Sequence, residues 1–428
     1  MQIFKFGGAS VNSIERIEKV ADIIEGYRDQ PMVVVISAMG KTTNELEWVV
    51  NAFYKGDSAQ ALELFGIIKQ KHLDTYRALM QKTNRGADAD REGQDLLLDL
   101  FTEVEWLLHD RPVREYDYYY DQIVCIGELL STTIVHAYLE RRGIPNTWLD
   151  VRDILRTNAN FRDADVDLSF AHEQTASQIR PLLDQNQIVV LQGFIGSTAE
   201  NESTTLGREG SDYTAALFSN LLDAGSLTIW KDVEGVMNAD PKLFPEAKVI
   251  SELNYTEVIE MAYFGAQVIH PKTIKPLQNK HIPMYVKCFL DPALPGTVIH
   301  DHSVKSLPAI IVLKKNLVLL HLSSKDFSFV GEKGMGQLYA LLESLHIQPH
   351  LVQSGAIIVR LCVDDKGEKT QKLMEAAAAL FDVEVEKGLT LLTIRHSGDE
   401  LLSSLTDGHT KVLLQQTPET VRVLMREL

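Results

Sequence analysis

Along roughly the first 300 residues, short apolar runs alternate with longer stretches whose apolar positions recur at helical spacing. Gln2–Phe6 is a β-rich run that stops at Gly7-Gly8. Ser13 then stands where a helix cap would, ahead of Ile14, Ile17, Val20 and Ile24, which repeat near the helical period. Met32–Ile36 is an unbroken apolar run behind Pro31, as in a strand buried on both faces of a parallel sheet. The pattern predicts helices over about 44–55, 58–82 and 94–109, and another over about 121–142 that stops at Gly143 with Pro145 beyond. Gln187–Phe194 and Leu227–Trp230 are further buried-strand candidates, and Tyr213–Leu222 reads as a helix. Such alternation predicts an α/β fold with a mostly parallel sheet covered on both faces.

The pattern changes near residue 300, where PALPGTVIHDHSVKSLP is rich in Pro, His and Ser. Beyond it the elements shorten. Ala309–Leu313, Leu317–His321 and Ile357–Val363 read as strands, with helices over about 333–346 and 367–380. A second, shorter set follows: strand Leu389–Ile394, helix 399–405, strand Lys411–Gln415 and helix 418–428. The expected organisation is a domain over 1–300 and two small α+β modules of ferredoxin-like size over 301–385 and 386–428. The last is so short that it leaves little room for a complete strand pair.

Composition narrows the function. The 428 residues carry a net charge of −17. The average field therefore repels nucleic acid and anionic membranes, though local cations can still hold a small phosphorylated molecule. No apolar run approaches the about 20 residues of a membrane helix, and MQIFKFGGAS has no leader-like pattern. Cys125, Cys288 and Cys362 form no CxxC pair, so a reducing cytoplasm is expected and a thiolate zinc site is not. No histidine pair has metal-ligand spacing, so no protein-built metal cage is expected.

Several segments carry candidate chemistry. Lys5-Phe6-Gly7-Gly8-Ala9-Ser10 follows the first strand, and its glycines let backbone N–H groups approach a phosphate beside the Lys5 charge. Leu206-Gly207-Arg208-Glu209-Gly210-Ser211-Asp212 runs into a helix; a helix cap alone has no need of Arg208, which suits a carboxylate or phosphate. Ser37-Ala38-Met39-Gly40-Lys41-Thr42-Thr43 is not a P-loop, because Val35 stands where its first glycine belongs. Glu128 sits in an otherwise apolar helix, where it is either partly exposed or faces a pocket that binds an ammonium group. Trp230–Gly235 and Asn238–Lys242 form a strand end and a proline-stopped loop.

The order of KFGGAS, SAMGKTTNEL, GELLST, QGFIG, TTLGREGSDYTAAL, KDVEGVMNADPK, FGAQVIHPKTI and PGTVI resembles the aspartate kinases across nearly all of residues 1–300. The later modules resemble the ACT domains of that family in architecture. The resemblance implies a three-layer αβα amino-acid-kinase sandwich. It also implies ATP-dependent phosphorylation of the L-aspartate β-carboxylate, the first step toward lysine, methionine and threonine, with Mg²⁺ carried as Mg-ATP. It assigns Lys5 to the phosphates and the attacking carboxylate, with Gly7, Gly8, Ser10 and Ser37 on the phosphate side. Thr43 and Glu128 would hold the aspartate amino end, Arg208 its α-carboxylate, and Ser211 and Asp212 the substrate and Mg²⁺-water side. Lys231, Asp232, Met237 and Lys242 fall in the nucleotide-contacting loop. Gln267 replaces the family's phosphate-binding lysine, and Lys272 or Lys231 is available to supply that charge. A homodimer through the ACT modules and a lysine or threonine effector are implied. A glutamate kinase, or a sensor with a decayed kinase domain, are the competing readings; intact Lys5, Glu128, Arg208 and Asp212 count against decay.

Overall fold

The computed structural model describes residues 1–82, 87–266, 268–326, 328–396 and 399–426. The chain forms two compact units. One comprises Met1–Val236, Val249–Ile259 and Gln267–Val304; the other Met237–Lys248, Glu260–Ala266 and Lys305–Leu428.

The first unit contains β1 (Gln2–Phe6), β2 (Met32–Ile36), β3 (Asn146–Trp148), β4 (Ile188–Gln192), β5 (Ile195–Ser197), β6 (Ser203–Thr205), β7 (Ser226–Lys231), β8 (Glu252–Asn254), β9 (Met284–Cys288) and β10 (Thr297–His300). Eight of them form one sheet in the order β3-β4-β2-β1-β7-β9-β10-β8. Every neighbouring pair is parallel except β9 with β10. β5 and β6 make a separate antiparallel pair. Helices cover both faces, giving a three-layer αβα sandwich, which is why β2 and β4 are apolar throughout and buried at every position.

The helices expected near 44–55, 58–82 and 94–109 are Thr42–Tyr54, Ser58–Gln81 and Ala87–His109. The one expected over 121–142 starts earlier and is two helices, Tyr116–Val124 and Ile126–Arg142, joined through Cys125. Gly143 ends it in a left-handed conformation, φ 78°. This Tyr116–Arg142 stretch is long and apolar enough to cross a membrane, but 89% of its apolar window is buried inside the protein, as in a core helix.

The second unit holds β11 (Ile310–Ser323), β12 (Leu351–Ser354), β13 (Ile358–Asp364), β14 (Asp382–Arg395), β15 (Thr410–Gln416) and β16 (Thr420–Arg426). They form an antiparallel sheet in the order β12-β13-β11-β14-β16-β15, with helices Glu332–Ser344, Glu368–Ala377 and Asp399–Thr406. Three expectations need correction. Ala309–Leu313 and Leu317–His321 are one strand, β11, whose pairing with β14 shifts register between Lys314 and Leu317. The helix expected over 418–428 is strand β16. Val421, Val423 and Met425 alternate onto the face packed against Leu401, Leu402 and Leu405, while Leu424 turns to the opposite face with Leu317 and Leu389. β15 and β16 thereby make the strand pair for which there seemed little room.

Residues 385 and 386, the expected module boundary, both lie inside β14. The later half of β11, the helix Glu332–Ser344, β12, β13, the helix Glu368–Ala377 and the first half of β14 follow a βαββαβ order. The first half of β11 and the second half of β14 continue into a sheet with β16 and β15.

Candidate active site

Strands β4, β2, β1 and β7 are adjacent in the sheet; Gly193, Ser37 and Gly7 directly follow the first three, and Lys231 is the last residue of β7. In an open parallel sheet this edge collects ligands, because each strand delivers a loop there and helix N-termini point back toward it. Alternation along β1 turns Phe4 and Phe6 onto Trp230, at ring-centroid distances of 5.6 and 6.0 Å, and turns Lys5 the other way. Lys5 Nζ lies 2.6 Å from Asp212 Oδ1, and both side chains are buried. Asp212 belongs to the first turn of the helix Gly210–Leu221, where the helix dipole favours a carboxylate. Burial alone would push its carboxyl up, but the charges of Lys5 and Lys231 outweigh that and hold it below the usual range. Lys231 Nζ also donates to the Val268 carbonyl at 2.7 Å.

Gly7 and Gly8 differ in their demands. A Cβ on Gly8 would come within 2.6 Å of the Ala38 carbonyl oxygen and 2.9 Å of that of Gly40, both immobile backbone. A Cβ on Gly7 would meet only Lys5 Nζ, at 3.4 Å. Gly8→Ala is therefore expected to destabilise by about 1–3 kcal/mol through overpacking and to disturb the phosphate-facing turn, with Gly7→Ala clearly milder. Thermal denaturation and steady-state kinetics of the two variants check this; equal behaviour of the pair would contradict it. Ser10 is buried in the turn that follows, and its hydroxyl donates to the Trp230 carbonyl at 3.4 Å.

A cavity of about 410 Å³ opens beside this edge, lined by Gly8, Ser37, Thr43, Glu128, Arg208 and Ser211 among others. Glu128 lies in the first turn of its helix, almost wholly buried. Its Oε1 accepts from the Ala38 N–H at 3.2 Å, while Oε2 has no hydrogen-bond partner among the described residues. Burial pushes its carboxyl up to about 8. Arg208 is exposed on the same cavity, and the Glu209 carboxylate, one residue on, accepts from the His270 N–H at 2.8 Å.

The structure thus brings Lys5, Gly8, Ser37, Thr43, Glu128, Arg208, Ser211 and Asp212 to one sheet edge. Gly7 and Ser10 flank Gly8, and Asp232 is exposed just past β7. Met237 and Lys242 belong to Met237–Lys248 in the second unit, and Gln267 lies outside the described residues. Lys272 is engaged elsewhere: its Nζ lies 3.1 Å from both Asp163 Oδ1 and the Leu206 carbonyl oxygen. Of the two lysines available to replace the charge absent at Gln267, it is Lys231 that acts electrostatically on Asp212.

Sequence reasoning missed Tyr120, Arg162, Phe194 and Thr205, which also line the cavity. Phe194 has φ 72°, rare for a residue with a Cβ, and its N–H donates to Thr214 Oγ1 at 3.0 Å. Neither Phe194 nor Arg162 announces a positive φ in its composition. Among the described residues, no three His, Cys, Asp or Glu side chains cluster as a metal cage.

Residues 1–288 match the amino acid kinase family. The chain is 32% identical to the lysine-sensitive aspartokinase 3 of Escherichia coli over 92% of its own length and 86% of that protein's. It superimposes on the crystal structure of E. coli aspartokinase III in complex with aspartate and ADP with a TM-score of 0.81. The two share 28% identity, and the alignment covers 100% of this chain and 96% of that one. The same enzyme in complex with lysine and aspartate gives 0.79 at 29% identity, covering 99% and 95%. The chain belongs to the amino acid kinase family and, within it, to the aspartokinases.

Proposed function

We propose that this chain transfers the γ-phosphoryl group of ATP to the β-carboxylate of L-aspartate, giving 4-phospho-L-aspartate. The observation that carries the reading is Glu128 Oε2, buried without a hydrogen-bond partner among the described residues in the cavity that Arg208 also lines, beside the Lys5–Asp212 pair. A carboxylate and a guanidinium in one cavity suit the ammonium and α-carboxylate of an amino acid. A buried cation at strand ends suits phosphate. The E. coli relative was crystallised with aspartate and ADP, which supports both halves.

The chemistry asks little of acid–base catalysis. The acceptor carboxylate is already a nucleophile at neutral pH. Its oxygen bonds to the γ-phosphorus as the bond to the β,γ-bridging oxygen breaks, and ADP leaves with the electron pair. The obstacle is bringing two anions together. Lys5, fixed by Asp212, neutralises charge between them, and backbone N–H groups around Gly8 face the phosphates. Thr43 and Glu128 hold the amino end, Arg208 the α-carboxylate, and Ser211 borders the acceptor. Ser37, Gly7 and Ser10 complete the phosphate side, and Lys231 and Asp232 border the nucleotide side. Mg²⁺, carried on the phosphates and water, would screen their charge; the sparse donor set, Asp212 with the hydroxyls of Ser37 and Ser211, fits such a phosphate-borne ion.

The second unit reads as two ACT modules that share β11 and β14, with a homodimer formed through them and lysine or threonine as effector. The lysine complex of the E. coli relative supports lysine. Free, buried cysteines suit a cytoplasmic setting.

The test is acyl-phosphate trapping with hydroxylamine, using Mg-ATP and either L-aspartate or L-glutamate. Aspartate-dependent hydroxamate is expected. Hydroxamate with glutamate alone would make the chain a glutamate kinase, and none with either from folded protein would favour an amino-acid sensor.

A further inference from the structure

Asp121 is fully buried, seven residues before Glu128, yet nothing above gives it a task. Its Oδ2 accepts the backbone N–H of Arg162 at 2.9 Å and that of Thr205 at 2.8 Å, and its Oδ1 accepts the Thr205 hydroxyl at 2.7 Å. Arg162 and Thr205 both line the cavity that Glu128 and Arg208 line. One carboxylate therefore ties two walls of that cavity to the helix Tyr116–Val124.

Arg162 is the unusual member. Its φ is 71°, a conformation that costs a residue with a Cβ and persists only where neighbours enforce it. The hydrogen bond from its N–H to Asp121 is such a neighbour. The guanidinium lies 4.3 Å over the Tyr120 ring, another cavity residue. Its carboxylate partners are weakly held: Asp117 at 3.1 Å and Glu47 at 3.9 Å, with side chains 56% and 40% exposed. Ion pairs so open to water are easily exchanged for a better anion.

We propose that Arg162 is a second guanidinium for the substrate, sharing the α-carboxylate with Arg208, and that Asp121 is the positioning residue that holds it there. The acceptor amino acid has two carboxylates. One must lie at Lys5 to react, leaving the other for the arginines across the cavity from the catalytic pair. On binding, Arg162 gives up its exposed contact with Asp117 for the substrate carboxylate. This inference rests on the aspartate reading above and adds to it how the non-reacting carboxylate is held.

Steady-state kinetics of the full chain test it. Arg162→Ala should raise the aspartate KM about 10- to 100-fold, as expected for loss of one charge-assisted contact, and leave the ATP KM unchanged. Arg162→Gly should raise the aspartate KM equally while leaving Tm unchanged or higher, because glycine adopts φ 71° without strain. A merely structural arginine would instead lower Tm with no selective change in KM. Asp121→Asn should raise the aspartate KM about 3- to 10-fold, and adding Arg162→Ala should give no more than Arg162→Ala alone. An unchanged aspartate KM in folded Arg162→Ala overturns the substrate role. Multiplying effects in the double variant overturn the positioning role. If Asp121→Asn does not fold, the two Arg162 variants still decide the first point, and a loss of aspartate affinity in Arg162→Lys smaller than in Arg162→Ala supports a cation at this place. Wild-type protein that makes no aspartate hydroxamate removes the function reading and this inference with it; active wild type with unaltered Arg162 variants removes only the inference.

Discussion

Lys5→Met should lower kcat by about 10³-fold or more, with a smaller change in either KM. Interactions that strengthen as charge gathers between donor and acceptor appear in kcat, and one preorganised charge in a dry site is worth roughly 3–4 kcal/mol. Lys5 meets those conditions: its side chain is buried, at the end of a central parallel strand, with Nζ fixed 2.6 Å from Asp212. The variant also leaves Asp212 buried with, among the described residues, Lys231 alone to balance its charge, so stability should fall by about 3–5 kcal/mol. Lys5→Met combined with Asp212→Asn separates the two effects, because it removes the uncompensated charge. It should recover most of the Tm and none of the activity. Hydroxamate formation within tenfold of wild type in Lys5→Met would exclude Lys5 from the transition state.

Glu128→Gln should raise the aspartate KM about 10²-fold and abolish its pH dependence. In the unliganded protein, desolvation raises the Glu128 carboxyl to about 8, against backbone hydrogen bonds, chiefly from Ala38, and the charge of Lys5, which favour the ionised form. An ammonium group needs the carboxylate, so binding below that pH displaces a proton. Aspartate affinity should therefore rise as pH climbs toward about 8 and level off above it. Calorimetry at pH 7 in two buffers of different ionisation enthalpy should detect close to one proton released by wild type and none by Glu128→Gln. Equal observed heats for wild type in the two buffers, or a flat pH profile, would remove Glu128 from the ammonium site.

The same group sets the sign of a stability effect. Its folded-state pKa is raised above the ordinary value of 4.5, so its contribution is complete below that pH and is lost as pH rises through about 8. The unliganded wild type should lose roughly 3–5 kcal/mol relative to Glu128→Gln across that window, and aspartate should restore part of it. Denaturant unfolding at pH 5 and pH 8, with and without aspartate, measures both.

The central strands β1, β2, β4 and β7 of the first unit were legible because their signals are local, whereas the short or peripheral strands β3, β5, β6, β8, β9 and β10 were not predicted. An unbroken apolar run such as Met32–Ile36 is the composition of a doubly covered strand whatever surrounds it. The Ser13 side chain accepts from the Arg16 N–H at 3.4 Å as the cap spacing predicts. Lys5, Glu128, Arg208 and Asp212 stood out as charges in apolar or glycine-rich settings that local structure does not require. Asp121 carried the same signal as Glu128, a carboxylate entering an apolar helix two turns earlier, and could have been found by the same argument.

The second unit was less legible, because strand pairing is decided by residues distant in sequence. Thr420–Arg426 is apolar enough for either period. It becomes a strand because β14 and β15 offer backbone partners on its two sides. Likewise, nothing local places 385 and 386 in mid-strand; the long pairing of β14 with β11 does.

By itself, then, the sequence determined the alternating strands and helices, the glycine loops at the strand ends, and the inventory of charges available for chemistry. Those follow from side-chain size, polarity and backbone freedom, which each residue carries with it. Only the tertiary structure decided that Lys5 meets Asp212, that Glu128 is dry enough to hold a proton to about pH 8, and that Arg162 is held in a left-handed conformation at the cavity wall. Desolvation and enforced backbone strain depend on what the rest of the chain packs around a residue, and that information is not local to it.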